Sequence, residues 1–131
     1  MKKALAFFLT IALLITSAAA VITPRWSYVS SMIRGFEMTT EGLEWTAVAQ
    51  AYNVPSVTDT KVVAKLQVQT TAGWGTIETQ TDKQPGRFAG VGGVYTNWLP
   101  SRSYRIEMYA YIYNGSTIIE TVGPLYAHQN T

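Results

Sequence analysis

Apolar and polar residues alternate with a period of two along most of the chain, in residue types that suit a pleated, half-buried surface. Trp26 to Ile33 (WSYVSSMI) predicts a first strand, and Gly35 to Gly42 reads as a turn-rich connection. Leu43, Trp45, Ala47, Ala49 and Ala51 then alternate with Glu44, Thr46, Val48, Gln50 and Tyr52, a second strand that ends at Asn53-Val54-Pro55 because proline cannot donate to a ladder. Val62, Ala64, Leu66 and Val68 alternate with Lys61, Lys65, Gln67 and Gln69, which predicts one inward and one outward face. Ala72-Gly73 turns the chain into Trp74 to Thr79, and Asp82 to Gly86 turns it again into Arg87 to Tyr95. Tyr104 to Tyr113 and Thr117 to Val122 flank Asn114-Gly115, a pair that accepts the positive φ angles of a type I′ hairpin. No stretch offers twelve residues of helical period. About seven short strands at this spacing predict an all-β, single antiparallel β-sandwich.

The one long apolar run breaks this pattern. Lys2 and Lys3 precede Ala4 to Ile15 (ALAFFLTIALLI), and small residues follow, with Ala18 and Ala20 at the −3 and −1 positions of a cleavage site after Ala20. Charge, apolar core and small-residue exit in that order make a secretory signal peptide, and the run is short for a membrane span. The expected organisation is therefore a cleavable signal, 1–20, and a secreted β-sandwich domain, 21–131. Leu99-Pro100-Ser101-Arg102-Ser103 lacks the Thr-Gly ending and apolar tail of a cell-wall sorting signal, so free secretion into the extracellular space is the expectation.

Removing the signal changes the charge argument. Lys2 and Lys3 account for the whole formal charge of +2, so the domain itself is neutral. Scattered charges on a neutral domain give no footprint for nucleic acid or, once the signal is gone, for a membrane surface. The chain has no cysteine, so its stability must come from packing and sheet hydrogen bonds.

The segment Leu99-Pro100-Ser101-Arg102-Ser103-Tyr104, followed by Arg105-Ile106-Glu107-Met108-Tyr109-Ala110-Tyr111, resembles the corner before the sixth strand of fibronectin type III domains, which share an immunoglobulin-like sandwich. The resemblance implies a tyrosine corner at Leu99 and Tyr104, in which the Tyr104 hydroxyl bonds back to upstream backbone while its ring fills the core. It covers about the last thirty residues, and upstream of them Trp45 is the candidate for that family's early-strand tryptophan. With its signal, Gly-Trp turn and Tyr-rich late strand, the whole chain also looks like small secreted proteins of Gram-positive bacteria that carry no assigned function. Neither resemblance implies catalytic residues.

The residues offer little catalytic chemistry. The single histidine, His128, lies near the end, where chains are commonly loose, and a general base must be held in place. With no cysteine and one histidine there is no transition-metal set. Asp59 and Asp82 could contribute oxygen ligands to calcium, but they lack a spacing motif and read as turn residues. Glu78, Glu107 and Glu120 are the carboxylates from which a glycosidase pair would have to come. Gly90-Val91-Gly92-Gly93 lacks the spacing of a phosphate loop and reads as a bulge or a close sheet contact. The expectation is no enzyme, no cofactor and no metal.

What survives is aromatic. With Tyr104 inward, Ile106, Met108, Ala110 and Ile112 share its face, and Tyr109, Tyr111 and Tyr113 line the other. Trp74 and Trp98 add rings at neighbouring loops. Such rings suit stacking on sugars or anchoring a protein, although outward tyrosines also pack on the stems of neighbouring-strand side chains. The function expected is a secreted, non-catalytic binding module for an extracellular glycan or protein. The alternative is a structural or self-assembling protein, and a small secreted hydrolase is third.

Overall fold

The computed structural model describes residues 26–129; the expected signal peptide, with Ala18 and Ala20, lies outside the described residues. Seven strands follow in order: β1 Val29–Thr39, β2 Gly42–Ala51, β3 Asp59–Thr70, β4 Gly73–Pro85, β5 Phe88–Tyr95, β6 Tyr104–Asn114 and β7 Thr117–His128. They form two antiparallel sheets, sheet A in the order β1-β2-β5 and sheet B in the order β4-β3-β6-β7. The chain is an all-β sandwich. Its core is the inward row of each strand: Trp45, Ala47 and Ala49 of β2 meet Val62, Ala64 and Leu66 of β3 and Ile106, Met108, Ala110 and Ile112 of β6. Alternation places the inward rows of β3 from Val62 to Leu66 and of β6, while in β2 the other row is buried too at Thr46 and Val48.

Three strands run past their expected ends. β1 starts later than Trp26 and continues through Gly35 to Thr39, so the expected 35–42 connection shrinks to Thr40-Glu41. There the Thr39 hydroxyl accepts the Glu41 amide and donates to the Gly42 carbonyl. Thr70 repeats this with Ala72 and Gly73 at the β3–β4 turn. Both turns spell Thr-Thr-x-Gly, with the glycine at positive φ, 147° and 115°. A side chain on Gly42 would come within 2.5 Å of the Tyr95 carbonyl oxygen, so only glycine fits there.

β4 continues through the expected 82–86 turn to Pro85, because the polar side chains Glu78, Gln80 and Asp82 face the other sheet rather than water. The Trp45 indole N–H donates to Glu78 Oε1 at 3.0 Å, Gly92 N–H to Gln80 Oε1 at 3.2 Å and Gly90 N–H to Asp82 Oδ2 at 3.0 Å. Gly90 and Gly92 belong to β5, an edge strand whose outer amides otherwise lack a ladder partner. The glycine run is thus a close sheet-to-sheet contact: a side chain on Gly93 would press on Gln80 and Glu78.

The opposite side of the sandwich is closed in the same manner. Glu120 of β7 accepts the Ser27, Tyr28 and Val29 amides, each at 2.8 Å. Arg34 of β1 donates through Nε to the Tyr126 carbonyl and through a terminal nitrogen to the Met32 carbonyl. Burial pulls the Arg34 guanidinium below its usual pKa. β7 itself extends past Val122, through Gly123-Pro124, to His128; its register against β6 shifts there, and proline is tolerated on an edge strand. The β6–β7 hairpin is present, but its turn is Gly115-Ser116 with Asn114 paired to Thr117, and among the described residues none other than glycine has positive φ. That excludes the type I′ turn over Asn114-Gly115.

Candidate binding face

β6 lies inside sheet B, so its side chains divide strictly between core and outer surface. Tyr104 is inward and 2% exposed, its hydroxyl accepting the Leu99 amide at 2.8 Å, with its ring edge-on to Tyr95. Arg105, Glu107, Tyr109, Tyr111 and Tyr113 take the outer face. The β3 row beside them is Asp59, Lys61, Val63, Lys65 and Gln67, and the β4 row beyond is Lys83, Thr81, Thr79 and Thr76.

The three tyrosines do not form an open stripe. Tyr113 is only 8% exposed, with Lys83 Nζ 4.0 Å from its ring centre, and Lys61 Nζ lies 5.3 Å from the ring centre of half-buried Tyr111. Neighbouring-strand stems cover these rings, the packing that outward tyrosines adopt against side chains of adjacent strands. Tyr109 is likewise half-buried, and Trp98 is half-buried in the 96–103 connection.

At the other end of the face the side chains converge. The Arg105 guanidinium lies between two rings, 4.3 Å from the centre of Trp74 and 4.3 Å from that of Tyr126. Its Nε donates to Gln67 Oε1 at 2.7 Å, and Gln67 passes on a bond to Thr76. Gln67 is buried, against its outward expectation, because it lies beneath this stack, and Val68 is only half-buried. His128 meets Trp74 edge-on at 5.6 Å. It is held in β7 opposite Arg105, not in a mobile tail. Tyr126 is 38% exposed and donates to Glu107 Oε2 at 3.2 Å, while Lys65 Nζ sits 3.8 Å from Glu107 Oε1. Partial desolvation, then the Glu107 charge and hydrogen bond, push the Tyr126 phenol above its usual pKa; Arg105 pulls the other way.

Of the residues expected at a binding site, Trp74 alone belongs to this cluster. Arg105, Tyr126 and His128 were missed. The signal that could have found them is register: once β7 extends beyond Pro124, Tyr126 falls opposite Glu107 and His128 opposite Arg105.

The lysines, unlike the arginines, gather on one face, while Arg34 lies in β1, Arg87 between β4 and β5 and Arg102 before β6. Lys61, Lys65 and Lys83, the only lysines after residue 20, all lie on this outer face with Arg105. Glu37 and Glu44 face each other across β1 and β2, with Glu41 in the turn between them.

The carboxylates weighed for chemistry are dispersed. Glu78 faces sheet A, Glu107 faces outward, and Glu120 lies on β7, three strand spacings from β4 or about 14 Å. Glu107 is five residues along β6 from the partner of Glu120, about 16 Å away. No two of the three face a common substrate. Asp59 faces outward and Asp82 inward, three register steps apart, so they do not converge on a cation. Comparison with known proteins finds no matching family model, curated protein or solved structure.

Proposed function

We propose that the chain is exported, loses residues 1–20 and acts outside the cell as a non-catalytic binding domain, engaging a glycan or protein through the outer face of sheet B. The strand order β1-β2-β5 against β4-β3-β6-β7 and the bond from the Leu99 amide to Tyr104 support a fibronectin type III kind of sandwich. That kind of fold hosts many functions, so the functional reading rests on the site.

The observation that carries it is the stack of Trp74, Arg105 and Tyr126. Cation–π contacts from two rings to one guanidinium, with Nε tied to Gln67, preorganise an aromatic and polar surface. Flat rings that keep a polar edge provide contact area at low entropic cost. Titration of the domain with a panel of cell-wall polysaccharides and cell-surface proteins, followed by tryptophan fluorescence, tests it. Saturable binding that Trp74→Ala weakens at least tenfold is expected. Binding unaffected by Trp74→Ala and Tyr126→Ala in folded protein would place the contact elsewhere and end this reading.

A further inference from the structure

We infer that the ligand of this face is an acidic polysaccharide, an extended chain whose sugars carry carboxylate or phosphate; the inference rests on the binding reading above. All three lysines of the domain and Arg105 lie on this one face, where only Asp59 and Glu107 offset them, while Arg34, Arg87 and Arg102 lie elsewhere. The remaining carboxylates are used or placed elsewhere. Glu78, Asp82 and Glu120 are bonded into the sides of the sandwich, and Glu37, Glu41 and Glu44 belong to the β1–β2 hairpin.

Two arrangements on this face lack an anion. Lys61 and Lys83 are direct partners across β3 and β4, a like-charge pair that opposes folding, and among the described residues neither has a carboxylate within ion-pair distance. Arg105 is fixed through its Nε and clamped between rings, while its terminal nitrogens have no hydrogen-bond acceptor among the described residues. A fixed guanidinium fork matches a carboxylate or phosphate in two parallel bonds. From Tyr111, beside Lys61, to Arg105 is six residues of β6, about 20 Å. Half-buried Tyr109 and the Lys65–Glu107 pair lie between, so cationic sites occur at both ends of the outer face. One small anion would not meet both ends, whereas a linear polyanion would. A protein partner fits less well, because lysine is depleted and apolar anchors are enriched at protein interfaces.

The test uses the domain at several salt concentrations, with polygalacturonate, a phosphomannan, neutral dextran of similar length and a single-stranded oligonucleotide as probes. Polygalacturonate or phosphomannan should bind at least tenfold tighter than dextran, the difference should shrink as salt rises, and the preferred polymer identifies the anion. Arg105→Lys keeps the charge but loses the fork and should weaken binding about tenfold. The double variant Lys61→Gln, Lys83→Gln should also weaken binding about tenfold, with a urea transition close to the parent's because the lost repulsion offsets the lost contacts on Tyr111 and Tyr113. Salt-independent dextran binding that Trp74→Ala abolishes would overturn the acidic-ligand inference and leave the binding reading standing. An oligonucleotide bound as tightly as either acidic glycan would overturn the inference too. No binding to any probe would overturn it as well, leaving the protein arm of the earlier panel to decide the broader reading.

Discussion

Glu120 offers the sharpest test of how the sandwich is closed. Its Oε1 accepts both Tyr28 and Val29 amides and its Oε2 accepts Ser27, so one side chain satisfies three consecutive backbone donors at the entry to β1. Trp26 and Tyr28, whose rings pack against the core, depend on that entry being fixed. Glu120→Ala removes all three acceptors. The Ser27 bond is exposed and counts for little, but the other two are partly buried, and charge-assisted bonds of that kind contribute about 1.5–3 kcal/mol each in well-buried settings. Discounted for partial exposure, the loss is about 2–4 kcal/mol, a large part of the stability of a domain this size. Glu120→Gln keeps an oxygen for Tyr28 and Val29 but turns an amide NH2 toward Ser27, so its cost should be nearer 1 kcal/mol. Urea denaturation followed by tryptophan fluorescence measures both, and the alanine variant should melt about 10–20 °C below the parent. Hydrogen exchange at Tyr28 and Val29 locates the effect. If Glu120→Ala stays within about 0.5 kcal/mol of the parent and those amides remain protected, the side-chain closure is not what holds β1.

Two further outcomes are expected. Tyr104→Phe keeps the buried ring but leaves the Leu99 amide without its acceptor; a loss of about 1–2 kcal/mol in denaturant is expected, with the register of β6 unchanged by NMR. Tyr126 should ionise later than an ordinary phenol when alkaline titration is followed by ultraviolet absorbance against Tyr126→Phe. Because its folded pKa is raised, its stabilising contribution is complete below the ordinary tyrosine pKa and is lost as pH climbs through the raised one. An ordinary titration point would contradict the Glu107 contact.

The core was legible because β3 and β6 are central in sheet B and must alternate strictly; Val62 to Leu66 and Tyr104 to Ile112 show it plainly. Strand ends were not, for reasons of chemistry. Glu78, Gln80 and Asp82 look like a polar approach to a turn, yet they point inward to bond the partner sheet, a destination that no local pattern encodes. Gly123-Pro124 looks like a stop, but an edge strand has a free side on which proline costs no ladder bond. The paired Thr-Thr-x-Gly turns were readable and would have placed the end of β1. The site was only half visible: Trp74 stands out by type, whereas Arg105, Tyr126 and His128 become neighbours through the pairing of strands far apart in sequence.

The bonds from Gln80 and Asp82 to the outer amides of β5 also occupy one edge of sheet A. A second molecule aligning along β5 finds Gly90 and Gly92 already engaged by the domain's own side chains, and must displace two acceptors before it gains a ladder. That margin is occupied from within, so the flat glycine ribbon is a poor template for fibre growth even though it carries no bulky side chain at these positions to keep a neighbour away.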